Sequence, residues 1–236
     1  MMRSNFPGSE ATSRSTSTAK ARLFAVSLAL VCPGCALMSK GEVFSPRYFS
    51  PDVSEPVARL QIKDASSPDA PLEVRLGQVE ASSHLEQRIA YRPSEGELGY
   101  YDSWRWTEPP QAYLRRALAR ELFERRGLVH VVSGAGPTLD VELVSFEELR
   151  QGAPAGRVEL RFSLSDGRRM LLEQTVRVER PVAPGAAEDV APRLTRALSS
   201  ALAEAVANVA ERVTTELGRA ALQEPRALAP KLPQQE

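Results

Sequence analysis

Thr138-Leu139-Asp140-Val141-Glu142-Leu143-Val144, Val158-Glu159-Leu160-Arg161-Phe162-Ser163-Leu164 and Leu171-Leu172-Glu173-Gln174-Thr175-Val176-Arg177-Val178 are the stretches on which the fold turns. The first two alternate apolar and polar residues at a period of two, the signature of a strand with one buried face. Leu139, Val141 and Leu143 fall on one side of the first. Gly152-Ala153-Pro154-Ala155-Gly156 loops to the second, and Asp166-Gly167, a hairpin turn pair, leads into the third, which returns beside it. The three read as an antiparallel meander. Each strand keeps one polar face, which suits a sheet covered by helices on one side only.

The covering helices flank the meander. Downstream, Leu194, Leu198, Leu202, Val206, Val209, Val213 and Leu217 recur at steps of three and four, with Ala197, Ala201 and Ala205 beside them. That is one apolar stripe on a helix of about 30 residues, about 45 Å long. Upstream, Leu114, Leu118 and Leu122 recur at steps of four, and Arg115, Arg116, Arg120, Glu121, Glu124, Arg125 and Arg126 fill the opposite face. Thr107 or Glu108 is expected to cap this helix, Pro109 or Pro110 to open it, and Gly127 to end it.

Before the first helix, residues 72–79 alternate as a half-buried strand, and residues 47–50 and 57–62 make two shorter candidates. Ile89-Ala90-Tyr91 and Leu98-Gly99-Tyr100-Tyr101 pair across a turn at residues 94–97. Residues 128–132 form a strand after the helix. The order β-β-β-α-β-β-β-β-α predicts an α+β domain: a mostly antiparallel mixed sheet with two helices packed on one face.

The N-terminal segment sets the compartment. Residues 1–22 are polar, with Arg3, Arg14, Lys20 and Arg22 against Glu10. Residues 23–31 are an apolar run of signal-peptide length, well short of the ~20 residues that a spanning helix needs. Cys32-Pro33-Gly34-Cys35 follows. A small residue before a cysteine at this point reads as a lipoprotein signal cut after Gly34, with the Cys35 thiol taking a diacylglycerol. Several acyl chains on one residue anchor stably where one is marginal. An ordinary signal peptide, a short uncleaved anchor and a Cys32–Cys35 redox pair are the competing readings. Cys32 and Pro33 depart from the usual lipobox, and the long polar start leaves room for an internal start codon. Ala36, rather than Asp, favours the outer membrane. The expected organisation is signal peptide 1–34, lipidated Cys35 and tether 35–56, domain 57–222 and disordered tail 223–236.

Composition agrees with a domain of this kind. The 236 residues carry 30 basic and 30 acidic side chains. A chain with no net charge lacks the basic surface of a general nucleic-acid binder. Removing residues 1–34 takes four basic residues and one acid, which leaves a mature chain at −3. Two Cys and two His are too few for a usual zinc site unless all four converge. No nucleophile elbow, P-loop or HExxH motif occurs. Gly134-Ala135-Gly136 reads as a turn, His130 as a residue that packs locally, and Glu147-Glu148 as a solvated loop end whose two carboxylates point apart. No catalytic residue, metal ligand or cofactor is expected.

Tyr91, Tyr100, Tyr101, Trp104 and Trp106 lie within 16 positions and include both Trp residues of the chain. They either pack the hairpin against the helix or form an amphipathic contact surface, for which Tyr91, Tyr101, Trp104 and Trp106 are the candidates. Period two puts Trp104 and Trp106 on one face, one in the core and the other at its edge.

Arg88-Ile89-Ala90-Tyr91-Arg92, Tyr100-Tyr101 and Arg105-Trp106-Thr107-Glu108-Pro109, followed by a Leu-striped helix, resemble the ABC-type transport auxiliary lipoprotein family, whose best-known branch is the paraquat-inducible protein C type. The resemblance spans roughly residues 46–217. His84-Leu85-Glu86-Gln87 departs from it, since relatives often read closer to Tyr-Leu-Asp-Arg there. The resemblance implies a non-enzymatic periplasmic lipoprotein. It implies as partners an MCE-domain protein and ABC transporter subunits that move lipids or other apolar molecules between membranes, and a homo-oligomeric ring. An envelope-assembly scaffold without a transport role is the alternative.

Overall fold

The computed structural model describes residues 45–52, 71–134 and 136–227. Among the described residues, eight strands and two α-helices follow one another as β1 (Arg47–Phe49), β2 (Glu73–Ala81), β3 (Arg88–Ser94), β4 (Glu97–Trp106), α1 (Pro110–Ala119), β5 (Val129–His130), β6 (Thr138–Leu149), β7 (Ala155–Ser165), β8 (Met170–Pro181) and α2 (Val190–Ala227). The α+β reading holds. Four described strands precede α1, one more than the β-β-β-α order counted, and each falls on a stretch named as a strand candidate. The candidate strand at 57–62 and residue Cys35 lie outside the described residues.

β6 is the spine. On one side it pairs antiparallel with β7 along its whole length, and β7 pairs antiparallel with β8, which is the meander expected from alternation. On the other side β6 divides its edge between two parallel partners. Residues 138–143 take β2, and residues 147–149 take β3. β2 carries β5 in parallel. β3 carries β4 in the antiparallel hairpin, and β4 carries β1 in parallel.

A bulge in β6 changes which residues face the core. Leu143 stands opposite Leu160 on β7, but Ser145 stands opposite Glu159 and Phe146 opposite Val158, so one extra β6 residue is accommodated. Before the bulge Leu139, Val141 and Leu143 are buried; after it Phe146 is. β6 therefore runs on to Leu149. This corrects the solvated-loop reading of Glu147-Glu148: both are strand residues, 0% and 4% exposed. They do point to opposite faces, since Glu147 pairs with Arg157 and Glu148 with Gly156.

Both helices cover the face that carries Val158, Leu160, Phe162 and Leu164. α1 packs on β2 and β6, α2 packs on β7 and β8, and the two helices touch each other. Every residue of the predicted α2 stripe is buried. Leu198 lies so close over Gly156 that a Cβ there would come within 3.1 Å of it. At 38 residues α2 is about 57 Å long, and it continues into the segment that was expected to be a disordered tail. Pro192 sits in its first turn, where its missing N–H would have no helical partner anyway. The opposite face of the sheet carries cross-strand ion pairs: Arg161–Glu142 at 3.2 Å, Arg177–Glu159 at 2.8 Å and Arg157–Glu179 at 2.9 Å.

α1 starts differently from the expectation. Pro109 is its N-cap and no side chain caps it. The Tyr113 hydroxyl instead lies 2.7 Å from the Thr107 hydroxyl and accepts from the Glu108 amide at 2.9 Å. Tyr113 is fully buried, so the helix start is tied to the core rather than capped. After Ala119 the helix widens into one π-type turn at Arg120–Arg125, and Gly127, at φ 69°, ends it in the left-handed region.

Candidate functional site

Trp104 and Trp106 share a face of β4, but packing separates them. Trp106 is 1% exposed, with its ring 5.0 Å from Phe146 and 6.3 Å from Tyr113. It belongs to the core, so it is corrected from contact candidate to support. Trp104 is only partly buried. It stacks on Tyr101 at 3.8 Å and meets Phe49 edge-on at 6.1 Å. Tyr101 in turn meets Tyr91 edge-on at 5.2 Å. Tyr91, Tyr101, Trp104 and Phe49 thus form a continuous, half-buried aromatic strip across β3, β4 and β1. Offset and edge-on pairs of this kind each add about 0.5–1.5 kcal/mol beyond area burial.

The backbone makes room for the strip. The Tyr91 ring lies over Gly99, where a Cβ would come within 2.5 Å of it. Only glycine allows that approach. Register does the rest: Tyr91 stands opposite Gly99 in the β3–β4 hairpin and opposite Glu148 in the parallel β3–β6 ladder.

A carboxylate and a guanidinium anchor the strip from behind. Tyr101 donates to Glu148 Oε2 at 2.6 Å, and Arg150 Nε donates to the same oxygen at 2.8 Å. The Arg150 guanidinium lies 3.6 Å from the Tyr91 ring centroid and 4.7 Å from that of Tyr101. Arg47 adds a second cation over Phe49 at 5.3 Å. Cation–π contacts contribute about 0.5–1 kcal/mol when exposed and ~2 when desolvated. Glu148 is buried, and these two partners satisfy it. Nearby, Glu108 takes a bidentate pair from Arg116 at 2.7 and 3.2 Å. That pair is exposed and contributes at most about 1 kcal/mol.

Burial, and then the hydrogen bond to Glu148, raise the Tyr101 phenol above its ordinary pKa of 10.0. The folded chain therefore keeps this proton at pH values where the unfolded chain gives it up. The corresponding stability is complete below about pH 10 and is lost as pH rises beyond it. In urea unfolding at pH 9 to 11.5, the wild type loses stability more steeply than Tyr101→Phe. Parallel slopes for the two would contradict this.

The remaining sequence candidates settle simply. His130 is exposed and stacks on Phe123 at 4.3 Å. Among the described residues, no group of three His, Cys, Asp or Glu side chains gathers as a metal site, and no helix is long and apolar enough to cross a membrane. The sequence reading missed Glu148 and Arg150. Their spacing of two, across the end of β6, was the available signal, hidden by the bulge that carries β6 on to Leu149.

Three comparisons bear on this geometry. The family model for the ABC-type transport auxiliary lipoprotein component matches residues 56–210, more than half of the chain. The fold is similar to the crystal structure of a Xanthomonas campestris protein of the DUF330 family: TM-score 0.58, 21% identity, covering 75% of this chain and 99% of that one. It is also similar to the crystal structure of an uncharacterized protein at TM-score 0.54 and 14% identity, covering 72% of this chain and 99% of that one. No curated protein matches the chain. With the sheet, the paired helices and the Trp106 core in place, the family match settles the assignment: the chain belongs to the ABC-type transport auxiliary lipoprotein family.

Proposed function

We propose that this chain is a non-catalytic, lipid-anchored envelope subunit that docks an MCE-domain protein or a subunit of an ABC-type transporter moving lipids or other apolar molecules. The aromatic strip with its arginines carries the reading. Tyr, Trp and Arg are the side chains most enriched at the centres of protein interfaces, and rigid rings lose little entropy when covered. The strip is already fixed by Gly99, Glu148 and the Trp106 core, so a partner would pay little to order it. Acylation of Cys35 would hold the domain at the periplasmic side of a membrane, the outer one by the Ala36 signal. A second copy of the chain is a further candidate to cover the strip, as a ring would require.

Two substitutions test separate parts of this reading. Trp104→Ala is expected to weaken co-purification of the MCE partner at least tenfold while the chain stays folded and at the membrane. Full partner recovery with Trp104→Ala would remove the strip from the interface. Cys35→Ala is expected to move the chain out of the membrane fraction with its domain intact. If it still sediments with membranes, Cys35 is not the anchor.

A further inference from the structure

A trough of about 800 Å³ runs along the N-terminal half of α2, bounded by the end of α1, the π-type turn and the end of β8. Small side chains leave its floor bare: Ala117, Ala197, Ala203 and Val206 offer apolar surface, and Ser200 opens the side. Its rim is basic. Arg120, Arg125, Arg180, Arg193 and Arg196 line it against two carboxylates, Asp52 and Glu121, while Glu204 pairs with Arg180. Positive charge stays in surplus by two.

Several rim arginines are held in position. Arg193 donates to the carbonyls of Ala183 and Ala186, both at 2.7 Å, which fixes its guanidinium at the mouth of α2. Arg125 pairs with Glu121 at 3.1 Å within the π-type turn. Arg126 ties that turn to α2 through the Ala207 carbonyl at 3.4 Å. Such wide turns are frequent at functional sites, and this one places Arg120, Glu121 and Arg125 on the lining of the trough. Arg196 is exposed, and the described residues supply it with no ionic partner.

An apolar floor with a cationic rim matches one ligand chemistry. The floor takes a hydrocarbon chain, since burying it releases ordered water, and the guanidinium forks take an anionic head with bidentate geometry. The volume lies in the range of small-molecule sites. We propose that this trough binds an anionic single-chain amphiphile, with its chain along Ala197 and Ala203 and its phosphate or carboxylate head at Arg193 and Arg196. The site is remote in chemistry from the aromatic strip and stands whether or not the strip docks an MCE protein.

The test is calorimetric titration of the purified full-length chain with three probes below their micelle limits: dodecyl phosphate, dodecyl maltoside and inorganic phosphate. Dodecyl phosphate is expected to saturate one site, with dodecyl maltoside and inorganic phosphate each at least tenfold weaker. Arg196→Glu is expected to weaken dodecyl phosphate at least tenfold, and Ser200→Trp, which fills the trough from its exposed side, to abolish saturation. Both positions are exposed, so both variants keep the wild-type Tm. Equal binding of inorganic phosphate reduces the site to a plain anion site. Equal binding of dodecyl maltoside reduces it to an apolar surface. Either result, or dodecyl phosphate binding unchanged in both variants, overturns the proposal.

Discussion

Trp106→Ala is expected to lower the folding free energy by about 3–5 kcal/mol, the usual cost of deleting a fully buried large aromatic side chain. For a domain of this size that is a fall in Tm on the order of 10 °C. The cost is high because Trp106 joins three elements. It ends β4, packs on Phe146 just past the β6 bulge, and meets Tyr113, whose hydroxyl ties down the start of α1. Its loss leaves a cavity that two aromatic rings and a helix start border, and none of them can collapse freely into it. Trp104→Ala, on the same strand face, removes a half-buried ring from a surface strip and is expected to cost less than half as much. Thermal unfolding of both variants checks the contrast. A loss below about 1 kcal/mol for Trp106→Ala would show that the core does not depend on this ring.

The second large effect is expected on the other face of the sheet. Glu147 is fully buried, and Arg92 holds it bidentately, at 2.9 and 3.2 Å. Arg157 lies 3.9 Å away as a weaker partner. The hydrogen bond to Glu147 also raises the Arg92 pKa above its ordinary value, against the opposing effect of its own burial. Arg92→Ala strands a buried carboxylate. Breaking a buried pair in this way costs about 3–5 kcal/mol, and the remaining Arg157 places the expectation near the lower end. The pair itself is a poor stabiliser, because both charges lose their water. The double variant Arg92→Met, Glu147→Met should therefore recover most of the loss. Urea denaturation of single and double variants measures this. A double variant as unstable as Arg92→Ala would show that the destabilisation is not due to the uncompensated charge.

These two sites show what was legible in the chain and what was not. The alternation at Leu139, Val141 and Leu143 and at Val158, Leu160 and Phe162 is local, so the meander could be read from it. The α2 stripe from Leu194 to Leu217 is local too. Period two placed Trp104 and Trp106 on one face, and only the packing of Trp106 against Phe146 and Tyr113 decides which of them is core. Glu147 and Glu148 were misread because the bulge after Leu143 shifts the alternation and lets the strand run on to Leu149. Arg92 lies 55 positions from Glu147, and only the parallel β3–β6 ladder brings them together. Sequence spacing holds no record of such a pairing. The arginine-rimmed trough was hidden for another reason. Its floor is made of Ala117, Ala197, Ala203 and Val206, small apolar residues that on an amphipathic helix look like ordinary core residues.

The divided edge of β6 has a consequence for how the chain reaches its native state. Residues 138–181 can zip into β6, β7 and β8 through hairpins, closing only short loops. β2 and β3 must instead find β6 from about 60 residues upstream and pair in parallel, so they bear a larger loop-closure entropy before any ladder forms. The meander is thus expected to act as a template that forms first, and the two upstream strands to join a finished edge in separate steps. In pulse-labelled hydrogen exchange during refolding, amides of β7 should gain protection before those of β2. Simultaneous protection would indicate a single concerted nucleus. A chain that emerges from a membrane N-terminus first would then hold β2 and the β3–β4 hairpin off the sheet until β6, β7 and β8 arrive.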